Sequence, residues 1–207
     1  MSTLDLIAAE RRTIANELEG LTAEQLATPS LCGAWTVHDV AAHLIMPLTL
    51  GMGTVIAAMV ASLGNFDKAN IKLTAKVSDR SIGEIATQLR EQAENTFTPP
   101  GMGLAAPMTD ALVHGEDFRR PLGIGHQFNP DALRTSLDFV ATKKGQRTFP
   151  GKGRLAGLRF EASDIGWSFG DGALVQGGAP DVLLAMCGRK VALGKLTGDG
   201  VATLRNR

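Results

Sequence analysis

The feature that most constrains the fold is an uncharged run of 23 residues, Leu44 to Phe66. A helix of that length is long enough to cross a bilayer. The run contains Pro47, Gly51, Gly53 and Gly64, and it follows directly from an amphipathic segment. These features favour a buried helix of a bundle, with Pro47 as the site for a kink, over a membrane span.

Composition excludes several classes of protein. The 207 residues include 21 basic and 21 acidic ones, and a net charge of zero argues against a general binder of nucleic acid or of anionic membranes. Two cysteines, Cys32 and Cys187, are too few for a disulfide framework. Residues 1–19 carry Arg11, Arg12 and three glutamates instead of the apolar core of a secretory signal, so we expect a cytoplasmic protein.

Charge and glycine content divide the chain near residue 145. Residues 1–66 carry a net charge of −4 and residues 146–207 a net charge of +4, and the last 62 residues hold 12 of the 24 glycines. Helical apolar spacing dominates before this point, and alternation of apolar and polar residues appears after it. We therefore predict an α+β protein, with a helical bundle over residues 1–145 and a small α+β domain over residues 146–207.

Local signals place the elements. Apolar residues at a spacing of three to four predict a first helix from Leu4 to Leu21, interrupted only by Arg11. Thr36 predicts the N-cap of a second helix, with Asp39 three residues later. Further helices are predicted over 82–93, 104–120, 130–144, 180–187 and 189–196, and strands over 158–162, 166–169 and 173–176, the last two joined by a tight turn at 170–172.

Four histidines, His38, His43, His114 and His126, are the groups suited to metal or acid–base chemistry near neutral pH. His43 lies inside the second predicted helix among small and apolar residues. A histidine in that position is often only a hydrogen-bonded core residue.

Asp110, His114 and Asp117 follow one another at positions i, i+4 and i+7, which aligns them along one face of the helix predicted over 104–120. Two ligands four residues apart on a helix can bind one metal ion, and a histidine from a facing helix completes the set. The other interpretation is that Asp110 and His114 form an exposed polar pair on the helix surface. Asp117 would then pair with Arg120. Arg119 and Arg120 would complement the negative C-terminal end of the helix.

Four segments resemble the mycothiol-dependent maleylpyruvate isomerase family, which belongs to the DinB-like metal-binding helical bundles. These segments span residues 35–44, 110–123, 158–170 and 188–200. The resemblance implies a divalent metal, most often zinc, held by a histidine of the second helix and by an acid-x-x-x-His pair of the fourth. In this sequence those positions are His43, Asp110 and His114, with Asp117 as an alternative ligand or a supporting partner. Asp110 departs from the family pattern, which has glutamate there.

The resemblance also implies a mechanism. The metal binds the thiol of mycothiol, and the thiolate adds to a small electrophilic substrate, giving an isomerase or an S-transferase. Arg189 in the basic C-terminal part is a candidate for binding an anionic substrate, and a solvated helix end is its simpler interpretation. Cys32 is a candidate ligand or reactive thiol, or else a small apolar residue. His38 has no assigned role, and His126 is expected outside the site.

Two other functions fit the same residues. One is a metal-binding bundle without turnover, acting in thiol or stress homeostasis. The other is an interaction module whose helix face carries no metal. The sequence allows a monomer or a homodimer.

Overall fold

The computed structural model describes residues 1–33, 35–63, 65–99, 101–151 and 153–207, and the backbone alone of Met52, Phe66 and Asp67. Gly64 therefore lies outside the described residues. The helices are α1 (Thr3–Glu19), α2 (Ala23–Leu26), α3 (Val37–Thr49), α4 (Met52–Ala61), α5 (Phe66–Ala75), α6 (Ile82–Glu91), α7 (Ala105–Leu122), α8 (Pro130–Ala141), α9 (Lys143–Thr148), α10 (Ala179–Met186) and α11 (Gly200–Arg205). The strands are β1 (Leu158–Ala162), β2 (Trp167–Phe169) and β3 (Ala173–Gly177), and a 3-10 segment spans Lys190–Lys195.

The architecture is α+β, as predicted: helices make up most of the chain, and a small sheet lies in its C-terminal part. By internal packing the chain forms two units. The first comprises residues 1–97 and 114–126, and the second comprises residues 98–113 and 127–207. A domain boundary at residue 145 remains a prediction.

In the first unit, α1 packs along α6, and α3 packs against α5 and α6. Arg11, which interrupts the apolar face of α1 in sequence, is itself buried. Its Nη1 donates hydrogen bonds to the carbonyls of Gln92, Ala93 and Asn95 at 2.9 to 3.2 Å. Because these carbonyls follow the last turn of α6, the arginine completes the C-terminal end of that helix.

The uncharged run does not form one buried helix, so that expectation was wrong. It forms α3 and α4, and the chain breaks at Leu50 and Gly51, both in extended conformation, rather than at Pro47. Ile56 and Val60 of α4 are exposed, as is Leu63 just after it. Among the described residues we find no helix long and apolar enough to cross a membrane.

In the second unit, the sheet has the strand order β2-β1-β3, with β1 antiparallel to β2 and parallel to β3. The two last strands therefore do not form a hairpin, contrary to the sequence prediction. Gly170 and Gly172 both have positive φ, and a Cβ on Gly172 would collide with the carbonyl of Gly157. The turn therefore carries the chain from β2, on one edge of β1, across to β3 on the other edge.

Two predicted segments and three short helices also differ from the sequence prediction. The helix expected over 130–144 ends at Ala141, where Thr142 adopts extended backbone and caps α9. The segment expected as a helix over 189–196 is the 3-10 segment. The short helices α2, α5 and α11 were not predicted.

Thr36 and Asp39 form a full capping box at the start of α3, with the threonine hydroxyl accepting from the Asp39 backbone N–H at 3.2 Å. Replacing Thr36 by Ala removes this acceptor and is expected to lower the free energy of unfolding by about 1 kcal/mol. Urea unfolding measures the change. Thr36→Ser keeps a hydroxyl and serves as the control, so an equal loss in both variants would contradict the capping explanation.

Candidate metal centre

Two buried histidines meet inside the first unit. His43 of α3 and His114 of α7 have their ring centroids 4.6 Å apart in an edge-to-face arrangement. Trp35, which directly precedes the cap of α3, lies over this pair at 5.0 Å from His43 and 6.5 Å from His114. The sequence thus places on two different helices two imidazoles that the fold brings into contact.

Each imidazole has a polar partner at Nδ1. The hydroxyl of Thr74, in the last turns of α5, lies 3.4 Å from Nδ1 of His43. The carboxylate of Asp117, fully buried, lies 2.8 Å from Nδ1 of His114. A carboxylate in this position fixes the tautomer and orientation of a ligating histidine.

Asp110 lies one turn before His114 on α7. One donor atom each from His43, Asp110 and His114 lie within 4.8 Å of one another, a spacing compatible with a shared cation. The three residues named by the sequence are therefore close in space. Binding of a metal by them remains a prediction.

A second group shares His114. Cys32, His114 and Asp117 also offer one donor atom each within 4.8 Å of one another. Cys32 is half-buried and its thiol is not in a disulfide. Sequence spacing could not show this group, because Cys32 belongs to the connector before α3.

A buried ionic cluster lies further along α7, after His114, and is centred on Arg119. Arg119 is fully buried and donates hydrogen bonds to Glu10 at 2.9 Å and to Glu17 at 2.8 Å, both on α1. Arg120 instead bonds Glu116 at 2.8 Å. Arg119 therefore ties α1 to α7, in addition to lying in the last turn of the helix whose C-terminal end it was expected to complement.

The remaining candidates lie elsewhere. His126 is next to Glu10, with its Nε2 3.2 Å from Oε2, and is in neither of the two groups that could hold a metal. Nε2 of His38 is 3.0 Å from the carbonyl of Arg80. Arg189, in the second unit, donates to the carbonyl of Cys187 at 2.8 Å. Its role toward a substrate remains a prediction.

Trp35 and Thr74 were missed at the sequence level. Trp35 stands directly before the capping threonine and begins the segment 35–44 that resembles the family, so there was a local reason in the sequence to expect it near His43. Thr74 had none, because α5 was not predicted and the contact with His43 spans 31 residues.

The first unit thus brings two buried histidines and a buried carboxylate together within a set of packed helices. A family model described as the mycothiol maleylpyruvate isomerase N-terminal domain matches residues 7–119. The chain belongs to this family.

Comparison with solved structures gives the same fold. The crystal structure of the mycothiol-dependent maleylpyruvate isomerase is similar with a TM-score of 0.52 and 16% sequence identity, over 96% of each chain. A crystal structure of a histidine-to-alanine mutant of that enzyme gives a TM-score of 0.48, with the same identity and coverage. No functionally curated protein matches the chain. At this identity the first similarity establishes the fold alone.

Glu10 and Glu17 make opposite contributions to the pH dependence of stability. Burial acts to raise the pKa of Glu10, but its contacts with His126 and Arg119 outweigh burial and lower it. Burial raises the pKa of Glu17 despite the charge of Arg119. The contribution of Glu10 is present above the ordinary glutamate pKa and is lost as pH falls through its lowered value, whereas that of Glu17 is lost as pH rises through its raised value.

We therefore expect Glu10→Gln to cost most at neutral pH, with the difference from the wild-type protein shrinking on acidification. Glu17→Gln should show the reverse, because only the wild-type protein gains stability as Glu17 takes up a proton. Urea unfolding of the wild-type protein and both variants, from neutral pH down through the glutamate range, gives the loss of unfolding free energy for each variant as a function of pH. If this loss changed with pH in the same direction for both variants, the opposite pKa shifts of Glu10 and Glu17 would be contradicted.

Asp117 is expected to support His114 as a metal ligand. Asp117→Asn removes the negative charge at Nδ1 and should weaken zinc binding by about 10–100-fold. Competition with a chelator of known affinity measures the change. Asp171→Asn, at an exposed aspartate of the second unit, is the matched control, and equal affinities in the two variants would contradict the role of Asp117.

Proposed function

We propose that this protein is a metal-dependent enzyme that uses mycothiol as its thiol cosubstrate and acts on a small electrophile, as an isomerase or an S-transferase. The observation that carries the proposal is the grouping of donor atoms from His43, Asp110 and His114 on two buried helices. Family membership supports the thiol and the class of reaction.

The residues fit a divalent cation, and the metal we propose is zinc, since imidazole and carboxylate are ligands that zinc accepts. The contacts of Thr74 and Asp117 at the Nδ1 atoms support Nε2 of His43 and of His114 as the proposed ligand atoms. Three protein ligands leave a coordination position for a thiol. Asp110 is one methylene shorter than the family's glutamate, and its carboxylate nevertheless has an oxygen within 4.8 Å of the donor atoms of His43 and His114.

When bound, the cation would lower the pKa of a coordinated thiol so that the thiolate forms near neutral pH. The protein's own residues prepare this step. Asp117 holds the imidazole of His114 in one tautomer, and Trp35 provides an apolar ring beside both histidines.

The chemistry follows from the thiolate. For isomerisation, the sulfur bonds one carbon of an activated C=C double bond while the π electron pair moves onto the adjoining carbonyl oxygen; after rotation about the resulting single bond, the electron pair returns and expels the same thiolate. For S-conjugation, the sulfur displaces a leaving group of the electrophile as an anion and stays bonded to the carbon. Arg189 is proposed to bind an anionic group of the substrate. We place the enzyme in the cytoplasm, as a monomer or a homodimer, with neither nucleic acid nor membrane as a partner.

The second candidate is a metal-binding bundle without turnover. The half-buried Cys32 beside His114 favours it, because a protein thiol close to the cation could compete with a small thiol. Turnover separates the two candidates.

Metal content tests the ligand set. We expect His43→Ala, Asp110→Ala and His114→Ala each to lose the metal that the purified wild-type protein retains through dialysis, because each removes one of three ligands. His126→Ala and His38→Ala should retain it. Full metal occupancy in the His114→Ala protein would refute this ligand set. A wild-type protein that takes up no zinc would refute the metal site and leave the interaction module without a metal as the remaining function.

Turnover tests the enzyme. The zinc-loaded protein is expected to accelerate conjugation of mycothiol to a bimane electrophile, or isomerisation of maleylpyruvate, and the His43→Ala protein is not. Both reactions are followed by absorbance or fluorescence. Zinc retention without acceleration of either reaction would favour the binding protein over the enzyme.

A further inference from the structure

Cys32 lies in a tight connector that is fastened at several points. Pro29 and Thr36 pair as an isolated bridge, and the Ser30 hydroxyl donates to the carbonyl of Trp35 at 2.7 Å while accepting from the N–H of Cys32 at 3.1 Å. The position of the thiol is therefore set by the backbone around it.

The connector is also joined to the helix that carries His114. The backbone N–H of Leu31 donates to the carbonyl of Asp117 at 3.0 Å. This bond places Cys32 beside the last turns of α7. The result is the second group of donors, in which sulfur, imidazole nitrogen and carboxylate oxygen lie within 4.8 Å of one another.

We propose that Cys32, His114 and Asp117 form a second metal-binding set, which shares His114 with the first and takes a thiophilic divalent cation such as zinc. A thiolate, an imidazole and a carboxylate are the three donor types that zinc binds in proteins. The first set contains no sulfur. Thiolate ligands favour zinc and other soft cations over magnesium or calcium, so this set differs from the first in the metals it selects.

When a cation binds to Cys32, His114 and Asp117, it replaces the proton of the Cys32 thiol. The thiol of Cys32 loses its proton to the solvent as its sulfur bonds the cation, so one proton is released for each thiolate formed. The half-buried position of Cys32 gives the cation a route to the sulfur, and the buried Asp117 carboxylate offsets part of the positive charge.

Cobalt(II) is the probe, because it replaces zinc and its bond to a thiolate gives a charge-transfer absorption that imidazole and carboxylate ligands do not give. The full chain, stripped of metal with a chelator, is titrated with cobalt(II) in excess. We expect this absorption in the wild-type protein and in Cys187→Ser, and its loss in Cys32→Ser. Absence of the absorption in the wild-type protein, or its loss only in Cys187→Ser, would overturn the proposal.

Alkylation provides a test that does not depend on a variant. The wild-type protein is labelled with iodoacetamide with and without zinc, and the two cysteine peptides are followed by mass spectrometry. Zinc is expected to slow labelling of Cys32 and to leave that of Cys187 unchanged. Equal labelling of Cys32 in both samples would overturn the proposal.

The His43→Ala variant separates this inference from the proposed function, because it removes a ligand of the first set only. Thiolate absorption that persists in His43→Ala with excess cobalt supports the second set whether or not the enzyme turns over. Cobalt that binds the wild-type protein without thiolate absorption, and that is lost in His43→Ala, overturns the second set and leaves the proposed function standing.

Discussion

The buried guanidinium of Arg119 is the interaction on which the first unit depends. Removing a full charge from water is costly, and the cost is offset here by hydrogen bonds to Glu10 and Glu17. Since the two glutamates lie on α1 and the arginine on α7, these hydrogen bonds align the two helices. Charged hydrogen bonds need particular distances and directions, so they specify this alignment more narrowly than apolar contact does.

The alignment of α7 against α1 also sets where His114 of α7 can meet His43. His114 lies on α7 between the cluster and Asp110, and its ring meets His43 of α3 in the same unit. The backbone bond from Leu31 to Asp117 fastens the connector of Cys32 to α7 as well. Donor groups from three separate segments thus converge because one helix, α7, is held from two sides.

Much of this was visible in the sequence, for reasons that are local. The capping box of Thr36, the spacing of Asp110 and His114, and the alternation in β1 are each encoded within a few residues, and each is found in the structure. What could not be predicted depends on distant partners. Arg119 gave no local sign that Glu10 lies beside it, the order of strands in the sheet has no signal in strand spacing, and the exposed apolar residues of α4 follow from how much surface the neighbouring helices cover.

Gly115 stands directly after His114, and its lack of a side chain leaves space for the arginine. A Cβ at this position would lie 2.7 Å from Nη1 of Arg119 and 3.6 Å from Glu10. A side chain at 115 therefore requires the guanidinium of Arg119 to shift, and that shift would disturb its hydrogen bonds to Glu10 and Glu17. Positions 115 and 119 are thereby coupled, so we expect a larger residue at 115 to be tolerated best together with a shorter residue at 119.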